Sequence, residues 1–100
     1  MNLIKEYNKY IIDFNSINNG MQIVFRFNNN YGISVVSHSF SYGTDDGKFE
    51  IAIIEFNSED DRDWNITYNT HITDDVLGYQ SKEDVMDIVV RTMGLPNFNY

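Results

Sequence analysis

The chain has 100 residues, 42% of them hydrophobic and 22% charged, which suits one globular domain over residues 1–100 and is too apolar for a disordered chain. It contains no cysteine, which excludes disulfides, thiolate zinc sites and cysteine nucleophiles, and it lacks an apolar run near the ~18 residues of a membrane-spanning helix. Fifteen acidic against seven basic residues give a net charge of −8, which disfavours affinity for phosphate backbones and anionic membranes.

The first residues have no basic start, apolar block or small-residue cleavage site, so a soluble, cytoplasmic protein is expected. Leu3, Ile4, Tyr7, Tyr10, Ile11 and Phe14 recur every three or four positions and predict an N-terminal amphipathic helix ending near Asn15. Turn residues at 15–20 lead into a strand over 21–27, where Met21, Ile23, Phe25 and Phe27 form one strongly apolar face. The Asn-rich loop 28–32 is of hairpin length, and residues 33–38 return as an antiparallel second strand. After a turn at 42–47, residues 48–56 are apolar on both alternate faces, the pattern of a central strand covered twice. Residues 57–63 turn the chain, and Trp64, Ile66 and Tyr68 mark a half-exposed fourth strand.

The last element carries the clearest punctuation. Ser81 is the expected N-cap, with Asp84 as the acidic partner of a capping box, and residues 82–93 are the expected helix. Val85, Met86, Val89, Val90 and Met93 form its predicted apolar stripe, and Gly94 and Pro96 stop it. The predicted architecture is α+β: an N-terminal helix, a four-stranded antiparallel meander, and a C-terminal helix packed on the sheet.

Charge is distributed unevenly along this plan. Between residues 45 and 87 there are thirteen acids and three bases (Lys48, Arg62, Lys82), a net of −10 against +2 elsewhere. Turns of an up-and-down meander alternate between the two ends of the sheet, which predicts Asp45, Asp46, Asp74 and Asp75 at one end. Residues 59–63 would take the other end. Glu83 and Asp84, at the helix start, join the first group. These six carboxylates form the candidate partner-binding rim, either a solvating surface or an electrostatic dock for a basic protein.

Catalytic and metal patterns fall short. Asp61, Asp63 and Asn65 imitate the start of an EF-hand loop, but Ile66 stands where glycine is needed and Ile72 where the closing glutamate belongs. A looser divalent-cation site would have to come from Asp45, Asp46, Asp74 and Asp75. His38 and His71 lie in separate segments without zinc-ligand spacing, and Ser37 and His38 point to opposite faces of a strand. Glu50 and Glu55 likewise face opposite sides of one strand, so they do not form an acid–base pair. No phosphate-binding glycine loop or nucleophile elbow is present. No catalysis, cofactor or metal is expected. Phe40, Tyr42, Trp64 and Tyr68 are core residues or an aromatic interface patch, and the glycosylation triplet Asn65-Ile66-Thr67 is a chance match without a secretion signal.

Residues 31–36, the stretch from Ser41-Tyr42-Gly43 to Ile53, and the block Thr73-Asp74-Asp75-Val76-Leu77-Gly78-Tyr79 before the last helix resemble small proteins of tailed phages and prophages in Gram-positive bacteria. The resemblance spans about half of the chain and implies origin, with no catalytic residues to carry over. Size and charge are those of anti-CRISPR or anti-restriction DNA mimics. The expected function is that of a non-enzymatic inhibitor acting in the host cytoplasm. Its partner would be a host protein with a basic surface, a nuclease or CRISPR effector, engaged through the acidic rim without direct nucleic-acid or membrane binding. The alternative is a phage accessory or assembly protein that works by homo-oligomerisation through a strand edge or aromatic patch.

Overall fold

The computed structural model describes residues 5–17, 20–38, 49–73 and 75–100. Its elements are a 3₁₀ helix (Lys5–Tyr10) followed by β1 (Ile11–Ile17), β2 (Gly20–Arg26), β3 (Tyr31–His38), β4 (Phe49–Phe56), β5 (Trp64–Ile66), β6 (Leu77–Gln80) and α1 (Lys82–Met93). The class is α+β with an antiparallel sheet, as expected, but the sheet has six strands where four were predicted.

The first difference is at the N-terminus. In place of an amphipathic helix, a single short 3₁₀ stretch gives way at Ile11 to an outer strand paired with β2. The β-branched pair Ile11-Ile12 favours extended backbone, and a β-bulge between Ile11 and Asp13 breaks the alternation that would have revealed a strand. Tyr7, Tyr10 and Ile11 still pack on the main core, which explains their helix-like spacing.

β1, β2, β3 and β4 are neighbours in chain order. β4 is central: six of its eight side chains, Phe49, Ile51, Ala52, Ile53, Ile54 and Phe56, are buried. One edge of β4 pairs with β3, and the other is shared. Ile54 to Phe56 pair with β5, while Phe49 and Ile51 pair with β6. Both short strands run antiparallel to β4, so they are two halves of one interrupted outer strand. Thr67 extends the first half by donating its N–H to Ile53 O at 2.9 Å, and the described residues between Tyr68 and Val76 leave the edge before Leu77 rejoins it.

The pleat divides the core. Ile23, Phe25, Phe27, Ile33, Val35, Phe49, Ile51 and Ile53 face α1, which buries Val85, Ile88 and Val89 against them. Each such side chain contributes on the order of 1.5–3 kcal/mol. Thr92 completes the inward face of α1, whereas Met86 and Val90, predicted to belong to its stripe, are exposed. The helix contacts the sheet through positions 85, 88, 89 and 92, spaced as one helical face, and Met86 and Val90 are rotated off it. On the opposite face Val24, Ile54 and Phe56 form a smaller cluster with Ile12, Trp64 and Ile66 packed against it.

The end of α1 is fixed by a buried asparagine. Asn29, in the β2–β3 turn, donates from Nδ2 to Thr92 O at 2.9 Å and Leu95 O at 3.0 Å, and its Oδ1 accepts from Tyr31 N at 3.1 Å. Asn30 adopts φ 65°, and its Nδ2 donates to Phe98 O at 3.1 Å, while Phe98 N donates to Asn29 O. The chain after α1 is thereby pinned across the turn, with the Phe98 ring 5.7 Å from that of Tyr31.

Candidate functional site

The shared edge of β4 determines where the acidic segments lie. Loop 57–63 leaves from its Phe56 end, residues 68–76 bulge from its flank, and α1 starts beyond Gln80 at its Phe49 end. The acids of loop 57–63 thus lie at one end of the sheet, Glu83 and Asp84 at the other, and Asp75 on the flank between them. Of the six predicted rim residues, Asp45, Asp46 and Asp74 lie outside the described residues. Asp75 is exposed on the bulge, two positions before Leu77, and not in a turn at the end of a meander. Glu83 and Asp84 are exposed at the helix start.

Local chemistry commits some of these carboxylates. Asp84 closes the predicted capping box: its Oδ2 accepts from Ser81 N and Ser81 Oγ, both at 2.9 Å, while Ser81 Oγ accepts from Asp84 N at 3.2 Å. Asp75 Oδ1 accepts from Val76 N at 2.7 Å, and Thr73 Oγ1 bridges Asp75 N and O. Glu83 adds negative charge to the positive helix start. Asp87 pairs with Arg91 at 3.6 Å, one turn apart on the outer face of α1.

Loop 57–63 is held by Arg26, on the face of β2 opposite Phe25 and Phe27. Its guanidinium lies over the Phe56 ring, 4.4 Å from the centroid. It donates to Asp61 Oδ1, Asn30 Oδ1 and Ser58 O, each at 3.0 Å, and to Glu59 O at 3.5 Å. An arginine at an alternating position carries no sequence signal for such a role, because its loop partners Ser58, Glu59 and Asp61 lie more than thirty residues away. Beside it, Lys9, Tyr10, Asn28 and Glu59 border an open cleft of about 310 Å³. In the same loop Asp60 takes three hydrogen bonds from Arg62, and its carboxyl is lowered below the ordinary value first by the Arg62 side chain and then by its backbone N–H. Tyr100 donates its hydroxyl to Glu59, and that bond pushes the phenol up.

No protein family, curated protein or solved structure matches this chain. Its chemistry therefore has to be read from its own residues.

Among the described residues no three His, Asp or Glu side chains converge to hold a metal ion. Asp61, the first position of the imitation EF-hand, is turned onto Arg26. Glu50 pairs opposite Val36 and Glu55 opposite Tyr31, on different faces of the sheet as the pleat requires; Glu55 Oε1 accepts from Asn65 at 3.0 Å. His71 lies on the 68–76 bulge and His38 ends β3, so the two histidines belong to separate elements. Of the predicted aromatic patch, Phe40 and Tyr42 lie outside the described residues. Trp64 packs on the second cluster and Tyr68 is exposed. A second, more apolar groove of about 220 Å³ runs over the sheet face opposite α1, between Val36, Ala52, Trp64, Ile66 and Val76. No helix among the described residues is long and apolar enough to cross a membrane.

Proposed function

We propose that this chain is a non-enzymatic binding protein that docks the acidic flank of its sheet onto a cationic protein surface, and that the partner is a nucleic-acid-handling enzyme of a host cell. One observation carries the reading. All three arginines are taken up by aspartates of the same chain, Arg26 by Asp61, Arg62 by Asp60 and Arg91 by Asp87, so the exposed carboxylates Asp63, Asp75 and Glu83 remain as surplus charge along the flank.

β4 has eight residues, so the flank is about 24 Å long at ~3.4 Å per residue. Duplex DNA carries a charge every ~1.7 Å of axis, or about fourteen over that length. Seven described carboxylates, at 59, 60, 61, 63, 75, 83 and 84, lie along the flank and at its two ends, and two of them are already paired with arginine. That density suits engagement of part of a basic groove, as a partial DNA mimic, better than replacement of a whole phosphate ladder. The resemblance to phage proteins fits an inhibitor of anti-CRISPR or anti-restriction type.

The test is capture from a bacterial lysate with the wild type and with the triple variant Asp63→Asn/Asp75→Asn/Glu83→Gln, followed by competition with duplex DNA. The expected outcome is a nucleic-acid enzyme that DNA displaces, bound roughly tenfold more weakly by the variant and with a shallower salt dependence. Equal binding by the variant at every salt concentration overturns the proposal.

A further inference from the structure

α1 covers one face of the sheet and leaves the other without a helix among the described residues. On that open face the β3–β4 register sets Ser34 opposite Ala52, two small and buried side chains that cut the surface down. They floor the groove of about 220 Å³, and Val36, Trp64, Ile66 and Val76 wall it. Ser34 Oγ accepts from Gln22 Nε2 at 3.0 Å, so the polar side of the floor is met from within the chain. A usual small-molecule pocket starts at ~300 Å³; this groove is the size of one side chain. The charge around it has a single sign. Glu50 lines it beside Val36, Asp63 precedes Trp64, and Asp75 precedes Val76, whereas no lysine or arginine stands among the lining residues or their immediate neighbours in the chain.

We propose that this groove receives one apolar side chain of a protein partner, from a basic segment whose lysine or arginine residues flank that side chain and meet Asp63 and Asp75. The proposal rests on the cationic partner of the proposed function and adds the contact that selects among cationic surfaces. Charge draws in a basic segment, and burial of one apolar anchor inside a charged rim holds it. Asp63 and Asp75 are both exposed, and both adjoin a wall of the groove, so one short segment can reach the apolar floor and the charges together. A second copy of this chain is the wrong occupant: docked face to face, it sets Glu50, Asp63 and Asp75 of one copy against those of the other.

Trp64 is the chain's single tryptophan, so its fluorescence reads the groove directly. The probes are three capped pentapeptides, Lys-Lys-Leu-Lys-Lys, Lys-Lys-Ser-Lys-Lys and Glu-Glu-Leu-Glu-Glu. The basic leucine peptide should shift the Trp64 emission saturably and bind about tenfold more tightly than the serine peptide, as burial of one leucine side chain warrants, while the acidic peptide should not bind. Ala52→Leu fills the groove from its floor and should erase that preference while keeping salt-dependent binding of both basic peptides. Val76→Ser, at an exposed wall position that the core does not need, should lower the preference to about threefold. Equal affinity for the two basic peptides overturns the groove proposal and leaves the charged dock standing, which the triple variant in lysate capture tests separately. A leucine preference that survives both variants, equal binding of the acidic peptide, or no saturable Trp64 response also overturns it. So does a concentration-dependent dimer of the protein alone that Ala52→Leu abolishes, since that places a second copy in the groove.

Discussion

Replacing Asn29 probes the joint between the β2–β3 turn and the end of α1. The side chain is only 6% exposed and serves both sides of the joint, donating to Thr92 O and Leu95 O and accepting from Tyr31 N. Thr92 O retains a second donor, the Leu95 N–H at 3.2 Å. Asn29→Ala therefore strands two groups, Leu95 O and Tyr31 N–H, at about 1–3 kcal/mol each, for a loss of about 3 kcal/mol. With a urea slope of about 1.5 kcal/mol/M for a chain of this size, the midpoint should fall by about 2 M at unchanged slope. Asn29→Asp keeps the acceptor for Tyr31 but aims a carboxylate at carbonyl oxygens, and should be worse than Asn29→Ala at pH 7. The new carboxyl has a folded-state pKa raised by burial and by those oxygens. Its penalty is therefore fully present above that pKa and fades as the pH falls through it, closing the gap to Asn29→Ala. Equilibrium urea unfolding of the three proteins across pH is the assay. A midpoint shift under about 0.5 M for Asn29→Ala, or an Asn29→Asp protein at least as stable as Asn29→Ala at pH 7, refutes the account.

Further outcomes follow from other contacts. A Cβ on Gly32 would fall onto the Phe25 carbonyl oxygen and come within 2.9 Å of the Phe56 ring, so Gly32→Ala should destabilise the β2–β3 pair by more than about 3 kcal/mol, read by urea unfolding. Arg26→Met keeps the stem over Phe56 but removes every donor to loop 57–63, and should raise amide exchange at Asp63 and Asn57 while leaving the α1 amides protected. In an NMR titration the Asp60 carboxyl should lose its charge below the ordinary value of 3.8, and Arg62→Gln should bring it only part of the way back, because the backbone N–H of residue 62 still donates to it. The depressed pKa means that the pairing stabilises the fold above the unfolded value and is lost as the pH falls through the folded one. Ser81→Ala removes half of the capping box and should cost about 1 kcal/mol, while Ser81→Gly should cost a few tenths, both by thermal unfolding.

What the sequence made legible were the elements whose pattern is local. The capping box at Ser81 and Asp84, the alternation of Ile23, Phe25 and Phe27, and the double-faced apolar run of β4 are each read within a few residues and each stand as expected. The elements misread have signals set by distant partners. β1 has the spacing of a helix because its bulge hides the alternation, and only β2 alongside makes it a strand. β6 is four residues long with glycine second, too short and too weak in strand formers to stand out; its place is given by the open half of the β4 edge. The candidate rim inherited that error. A meander places Asp75 in the turn after the fourth strand, at the end of the sheet, whereas the interrupted strand carries it along the flank. Arg26 and Asn29 escaped notice because nothing beside them in the chain distinguishes a clamp from a surface residue.

The interrupted outer strand also bears on how such a chain can change length. Thr67 is already bonded to Ile53 and Leu77 already sits opposite Ile51, so residues inserted between them need not alter any pairing in the sheet. Loop closure grows more costly by only about 0.6 kcal/mol per doubling of length. The bulge is thus a graft site in the middle of a strand, where a longer segment, even a reporter peptide, is admitted without shifting the register on either side of it.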